Sequence, residues 1–128
     1  MIRLLETILV VEDHDDSRRM LEDVLTLAGF RVVAAHNGAE ALRALGQEPP
    51  DLVVLDLVLP WISGIEVLST IRETPHLAAV PVLIVTATRT SEYELRNFGP
   101  VALMRKPLNV EAIVPIVHRL LSQSYQRS

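Results

Sequence analysis

Short aliphatic runs alternate with stretches of helical periodicity along this chain, five times over, and no other feature constrains the fold as much. The runs are 8–11, 31–35, 52–55, 82–85 and 101–104, built mainly from Val, Ile, Leu and Ala. After the first of them, Met20, Leu21, Val24, Leu25 and Ala28 recur at helical spacing over 17–28, and Gly29 stands where a C-cap is expected. Asn37-Gly38 turns into good helix formers over 39–45, and a further helix is expected over 65–72. A shorter, weaker one is expected around 92–97. Asn109 can cap a last helix running to about Ser122, which Pro115 should bend by removing one backbone hydrogen bond. The polar SQSYQRS reads as a frayed end or the start of a linker, so the expected domain is 1–122 and the tail 123–128. Strands this apolar have no face to turn toward water. They predict a parallel sheet, doubly wound, with helices covering both faces.

Composition removes several classes of function. At 128 residues, 49% hydrophobic and 22% charged, the chain is one globular domain rather than a disordered one. A net charge of −4 and the lack of any Lys/Arg run argue against direct nucleic-acid binding. No cysteine means no disulfide framework and no thiolate metal site. The start, MIRLLETILVV, holds Arg3 and Glu6 and lacks a small-residue cleavage site, so no signal peptide is expected. No apolar run approaches the roughly 18–20 residues that span a bilayer. The expectation is a cytoplasmic protein with no membrane attachment.

In an open parallel sheet the chemistry collects beyond the carboxyl ends of the strands. In PDLVVLDLVLP, seven large aliphatics surround Asp56, a carboxylate that would be costly to bury unless it lies at the strand's end. It is either a strand-end group held by loop amides or a reactive one. The first strand ends in Glu12-Asp13, followed by His14, Asp15 and Asp16; the fourth ends in Thr86 and the fifth in Arg105-Lys106-Pro107. If these strands are neighbours, Glu12, Asp13 and Asp56 converge, and such a cluster needs either protonation or a cation. Oxygen ligands alone favour Mg²⁺. Of twelve basic residues Lys106 is the only lysine, which suggests a place for a compact ammonium rather than a planar fork. With Thr86 it could hold a phosphoryl group on a carboxylate oxygen. Asp15 and Asp16 suit an N-cap and first helical turn, and the four histidines show no ligand spacing and read as solvated or packing residues.

Taken together, VVEDHDDSRRMLEDVLTLAGF, AHNGAEAL, PDLVVLDLVLPWISGIEVL, PVLIVTA and RKP resemble the receiver domain of two-component response regulators, in order and spacing over nearly the whole chain. The resemblance implies a flavodoxin-like sheet of order 2-1-3-4-5 with five helices. It implies that Asp56 is the phosphoacceptor, that Asp13 ligates Mg²⁺ directly and Glu12 through water, and that the Val58 backbone carbonyl is the third protein ligand. Thr86 and Lys106 match the pair that contact phosphoryl oxygens, and Pro107 matches a proline after a cis bond to Lys106. A histidine kinase or phosphotransfer protein would supply the group, and an output partner would read it. Such a domain phosphorylates and dephosphorylates itself without being a turnover enzyme.

Three departures stand out. Leu103 occupies a position where the family commonly has the Tyr or Phe whose rotamer, with Thr86, reports the switch. The segment from Thr86 to Gly99 is about two residues short, and Pro100 replaces a frequent alanine. Leu103 and the shortened segment suggest an alternative, a receiver-like binding module that signals without phosphorylation, against which the complete acidic pocket weighs. An aspartyl phosphatase is excluded because Val58 stands where such enzymes need a second acid. Gly64 reads as a turn glycine, and Trp61 either packs beneath the pocket or is exposed as a contact.

Overall fold

The apolar runs pair side by side. The structure, a computed structural model describing residues 5–127, places β1 (Thr7–Val11), β2 (Arg31–Ala35), β3 (Leu52–Leu55), β4 (Val82–Thr86) and β5 (Val101–Arg105) in one sheet. Their order is β2-β1-β3-β4-β5 and every pairing is parallel. Residues 1–4, the start of the stretch read for a leader, and Ser128, the end of the polar tail, lie outside the described residues. The helices are α1 (Asp15–Leu27), α2 (Gly38–Gln47), α3 (Gly64–Glu73), α4 (Glu92–Leu95) and α5 (Val110–Arg127).

The two-residue period of each strand divides the core in two. Ile8, Val10, Val54, Leu83 and Val85 pack with Leu21 and Leu25 of α1 and Ile113 and Val117 of α5. Leu9, Val11, Val53, Leu55 and Ile84 pack with Ala41 and Leu45 of α2 and Val67, Leu68 and Ile71 of α3. Each fully buried aliphatic contributes roughly 1.5–3 kcal/mol, so both faces are strongly held and the register cannot slip by one residue. Winding reverses between β1 and β3, since β2 lies on one side of β1 and β3 on the other. That reversal opens the crevice at the strand ends.

Local signals fix most helix ends. Gly29 follows α1, and Phe30 N–H reaches back to Leu25 O at 3.1 Å, closing the expected C-terminal motif. Asn37, Ser63 and Ser91 each accept from a backbone N–H three residues on. At the start of α1 the cap is His14, with no side-chain capping bond, so Asp15 is the first helical residue rather than the cap. The last helix passes Ser122 and continues to Arg127, with Pro115 inside it.

Gly64 permits the approach that matters for the site. A Cβ there would lie 2.5 Å from Leu57 Cα and closer still to Asp56 O. The start of α3 therefore rests directly on the backbone after β3, with Gly64 N–H on Leu57 O at 3.0 Å. On the far side, α4 is a single turn followed by a 3₁₀ turn, Arg96–Phe98. Arg72, in the last turn of α3, donates to the carbonyls of Ala78, Val80 and Pro100 at 3.1, 2.6 and 3.1 Å, and to that of Phe98. Gly99 runs at φ +78°, and a Cβ on it would sit 2.8 Å from Arg72 Nε. No helix among the described residues is long and apolar enough to cross a membrane.

Candidate functional site

The sheet ladder carries each reactive residue to one place. Asp56 N–H bonds to Val11 O at 3.0 Å, and Lys106 N–H to Thr86 O at 3.0 Å, so both stand one residue past paired strands. Glu12 N–H bonds to Ala35 O at 3.1 Å on the other side of β1. Glu12, Asp56 and Thr86 are all buried, with at most 2% of their surface exposed. Lys106 Nζ bridges the two acids, contacting Glu12 Oε1 and lying 2.9 Å from Asp56 Oδ2. The other oxygen of Asp56 accepts from Val58 N–H at 3.0 Å. The Lys106–Pro107 bond is cis.

Glu12 and Asp56 thus share a single ammonium, with the Asp13 carboxylate in the same cluster. Burial pushes the Glu12 carboxyl above its usual range against the hydrogen bond from Lys106, and the charge of Asp56 adds to the rise. For Lys106, burial works to lower the value, but the hydrogen bonds to Glu12 and Asp56 outweigh it and the ammonium is held more firmly charged. These directions agree once the charges are counted: the lysine is satisfied twice over, and the surplus negative charge falls on buried Glu12. A cation would remove that surplus.

The residues present fit one. Asp13 Oδ1 is buried and has no hydrogen-bond partner, an exception that asks for an ion or water. One ligand atom each from Glu12, Asp13, His14 and Asp56 lies within 4.8 Å of the others. Oxygen-rich sets of this kind suit hard divalent ions, with the histidine nitrogen as the odd member.

Thr86 and Leu103 point to a second feature. The Thr86 hydroxyl accepts from Thr88 N–H at 3.2 Å and lies 3.2 Å from the Thr88 hydroxyl, so it is engaged with the loop after β4. Arg105 ties that same loop to β5, donating to Thr88 O at 2.7 Å and to Thr90 O. Leu103 is half-buried and packs against the α2–α3 side of the core. Trp61 is 89% exposed, so it does not pack beneath the pocket, and its backbone is left-handed at φ 63°.

Two residues escaped the sequence reading. Arg18 is buried on the core-facing stripe of α1, donating to Glu12 O at 3.3 Å and to Asp15 Oδ1 at 2.6 Å. The hydrogen bond from Arg18, then its charge, holds the Asp15 carboxyl below its usual range. An arginine in phase with Leu21 and Leu25, three residues after an acid, was the available signal. His14, read as solvated or packing, has Nδ1 3.3 Å from Asp13 Oδ1 and 3.6 Å from Glu12 Oε2. A separate cavity of about 320 Å³, lined by Thr7, Arg31, Gln47 and Pro50 among others, includes none of the residues at the strand ends.

Comparison with known proteins agrees with this geometry. A family model described as "Response regulator receiver domain" matches residues 8–118. The polar-differentiation response regulator DivK of Brucella anthropi is 28% identical over 121 residues, covering 93% of this chain and 98% of DivK. A Vibrio cholerae protein named a probable cyclic di-GMP phosphodiesterase is 37% identical over 114 residues, covering 88% of this chain but only 26% of that protein. Among solved structures, a CheY-like response regulator receiver domain protein from Methanospirillum hungatei superposes with a TM-score of 0.87 at 24% identity. That match covers 97% of this chain and 99% of the other, and establishes likeness of fold.

Proposed function

The chain belongs to the response regulator receiver domain family of two-component systems, whose members are signalling modules rather than turnover enzymes, and from that premise we propose that Asp56 is its phosphoacceptor. The donor is a phosphohistidine on a partner histidine kinase or phosphotransfer protein. The reader is an output protein or domain whose affinity changes with the phosphorylated state. A cytoplasmic location follows from that partnership.

One observation carries the proposal: the only lysine bridges Asp56 and buried Glu12 at the strand ends. Asp56 Oδ attacks phosphorus in line as the phosphorus–nitrogen bond of the donor breaks, leaving an acyl phosphate here and an imidazole there. Lys106 can release one carboxylate and take an equatorial phosphoryl oxygen without changing its charge. Thr86, turning its hydroxyl from Thr88 toward the phosphoryl group, would supply a second donor, and Val58 N–H a third. Glu12, Asp13, Asp56 and the Val58 carbonyl would hold Mg²⁺, which when bound offsets the charge of the incoming group. Transfer of Thr86 away from Thr88 frees the loop that Arg105 holds, and this biases two conformations.

The test is intact mass after incubation with Mg²⁺ and acetyl phosphate. One phosphoryl group is expected on the wild type and none on Asp56→Asn; equal labelling of both would sink the assignment. A second reading, binding without phosphorylation, rests on Leu103 and on the engaged Thr86 hydroxyl. It predicts that an output partner retains its affinity for Asp56→Asn and for the acetyl-phosphate-treated protein alike.

A further inference from the structure

Building on the metal-binding part of that reading, we infer that His14 is a ligand of the same ion, so that this pocket takes nitrogen-accepting first-row ions, from Co²⁺ to Zn²⁺, far more readily than its carboxylates alone would. His14 is the N-cap of α1 yet makes no side-chain capping bond, a position where Ser, Thr, Asp or Asn would normally serve. Its extended backbone, φ −78° and ψ 122°, brings the ring back over the end of β1. There Nδ1 lies 3.3 Å from Asp13 Oδ1 and 3.6 Å from Glu12 Oε2.

The contact of Nδ1 with Asp13 Oδ1 is at ion-pair distance for a protonated ring but lacks hydrogen-bond geometry, and the oxygen has no hydrogen-bond partner. The two atoms lie side by side. Atoms bound at about 2.0–2.1 Å to a common ion are separated by about 2.8–3.4 Å, depending on octahedral or tetrahedral geometry. The 3.3 Å between Nδ1 and Asp13 Oδ1 is that of adjacent ligands, while Glu12 Oε2 at 3.6 Å lies just outside that range, as for a ligand acting through water. Of the remaining histidines, His36 is engaged with Glu40 at 2.9 Å and His118 lies edge-on to Phe30 at 5.7 Å. Imidazole adds little to the binding of Mg²⁺, which prefers oxygen and water, and much to the binding of later first-row ions.

Isothermal titration calorimetry with NiCl₂ and, separately, MgCl₂ on the wild type and His14→Ala tests the inference. The side chain of His14 is 72% exposed, so the variant keeps its fold. Loss of the ring should weaken Ni²⁺ binding at the Mg²⁺-competed site roughly tenfold or more while Mg²⁺ affinity stays within about twofold. Visible absorption of the Co²⁺ form should drop in the same variant. Equal changes in Ni²⁺ and Mg²⁺ affinity, no change in either, or Ni²⁺ binding that Mg²⁺ does not displace would each overturn it. Failure of acetyl phosphate to label Asp56 would instead strike the proposed function and leave this selectivity intact.

Discussion

At the carboxyl ends of β1, β3 and β5, charged side chains meet charged side chains; between α3 and β5, charged side chains meet backbone. Lys106 sits between the carboxylates of Glu12 and Asp56. Arg72 and Arg105 instead hold carbonyls: those of Ala78, Val80, Phe98 and Pro100 for the first, and of Thr88 and Thr90 for the second. The contrast follows from the two side chains. A compact ammonium can exchange one oxygen for another, as a phosphoryl site requires, while a planar guanidinium holds several fixed acceptors at once. Where α4 is a single turn, carbonyls that a longer helix would satisfy internally are satisfied by arginine. The first region is built to change partners and the second to keep them.

The largest test of that contrast is Arg72→Met. Removing the guanidinium strands several partly buried carbonyls while keeping the aliphatic stem, and hydrogen bonds from charged donors are each worth about 1.5–3 kcal/mol before losses to water. The expected cost is about 3 kcal/mol, read from urea unfolding. Acetyl phosphate should still label the folded fraction. If stability barely moves, the segment is held by Leu95 and Phe98 in the core rather than by the arginine, and the contrast fails.

A smaller effect of opposite sign is expected from Glu12→Gln. The folded-state carboxyl of Glu12 lies above its ordinary value of 4.5, mainly through burial. The native state therefore binds more protons than the unfolded chain as pH rises from that value through the folded one, and stability falls across the window. Glutamine removes the term. The variant should be more stable at neutral pH and show a flatter acid limb. Lys106 shows the same sign at higher pH: its stabilisation is present below 10.5 and lost as pH rises through its raised folded value. Losing one of its two acids should weaken that alkaline limb. Divalent binding should weaken too, showing that the instability serves the site. A less stable Glu12→Gln at neutral pH would mean that the ion pair outweighs burial.

Much of this was legible in the sequence. Strands buried on both faces leave a pattern, and Asp56, Lys106, Glu12 and Asp13 stand at strand ends whatever the details of packing. What stayed hidden depends on direction rather than identity. That His14 would be the cap, bringing its ring back toward Asp13, depends on a helix beginning at Asp15 and not two residues later. Arg72 looks like an ordinary basic residue in a last helical turn, where it suits the helix dipole. Its acceptors lie up to 28 residues away along the chain. The end of α5 was misjudged because Gln, Ser and Arg sustain a helix about as well as they sustain a loop, and composition alone could not choose.

The smallest effect concerns the loop that joins the two regions. Trp61 follows β3 by six residues and is the only tryptophan. It adopts φ 63° with 89% of its surface exposed. For a bulky L-residue the left-handed region costs about 1–2 kcal/mol, and so little burial returns almost nothing. Glycine would relieve the strain but widen the unfolded ensemble, at about 0.5–1 kcal/mol. Trp61→Gly should therefore be stabilised by up to about 1 kcal/mol in thermal unfolding, with labelling of Asp56 by acetyl phosphate unchanged. A loss of stability would mean that the indole packs on the loop in solution. A gain would show that the strained backbone at Trp61 lowers the stability of the isolated domain, as the burial of Glu12 does.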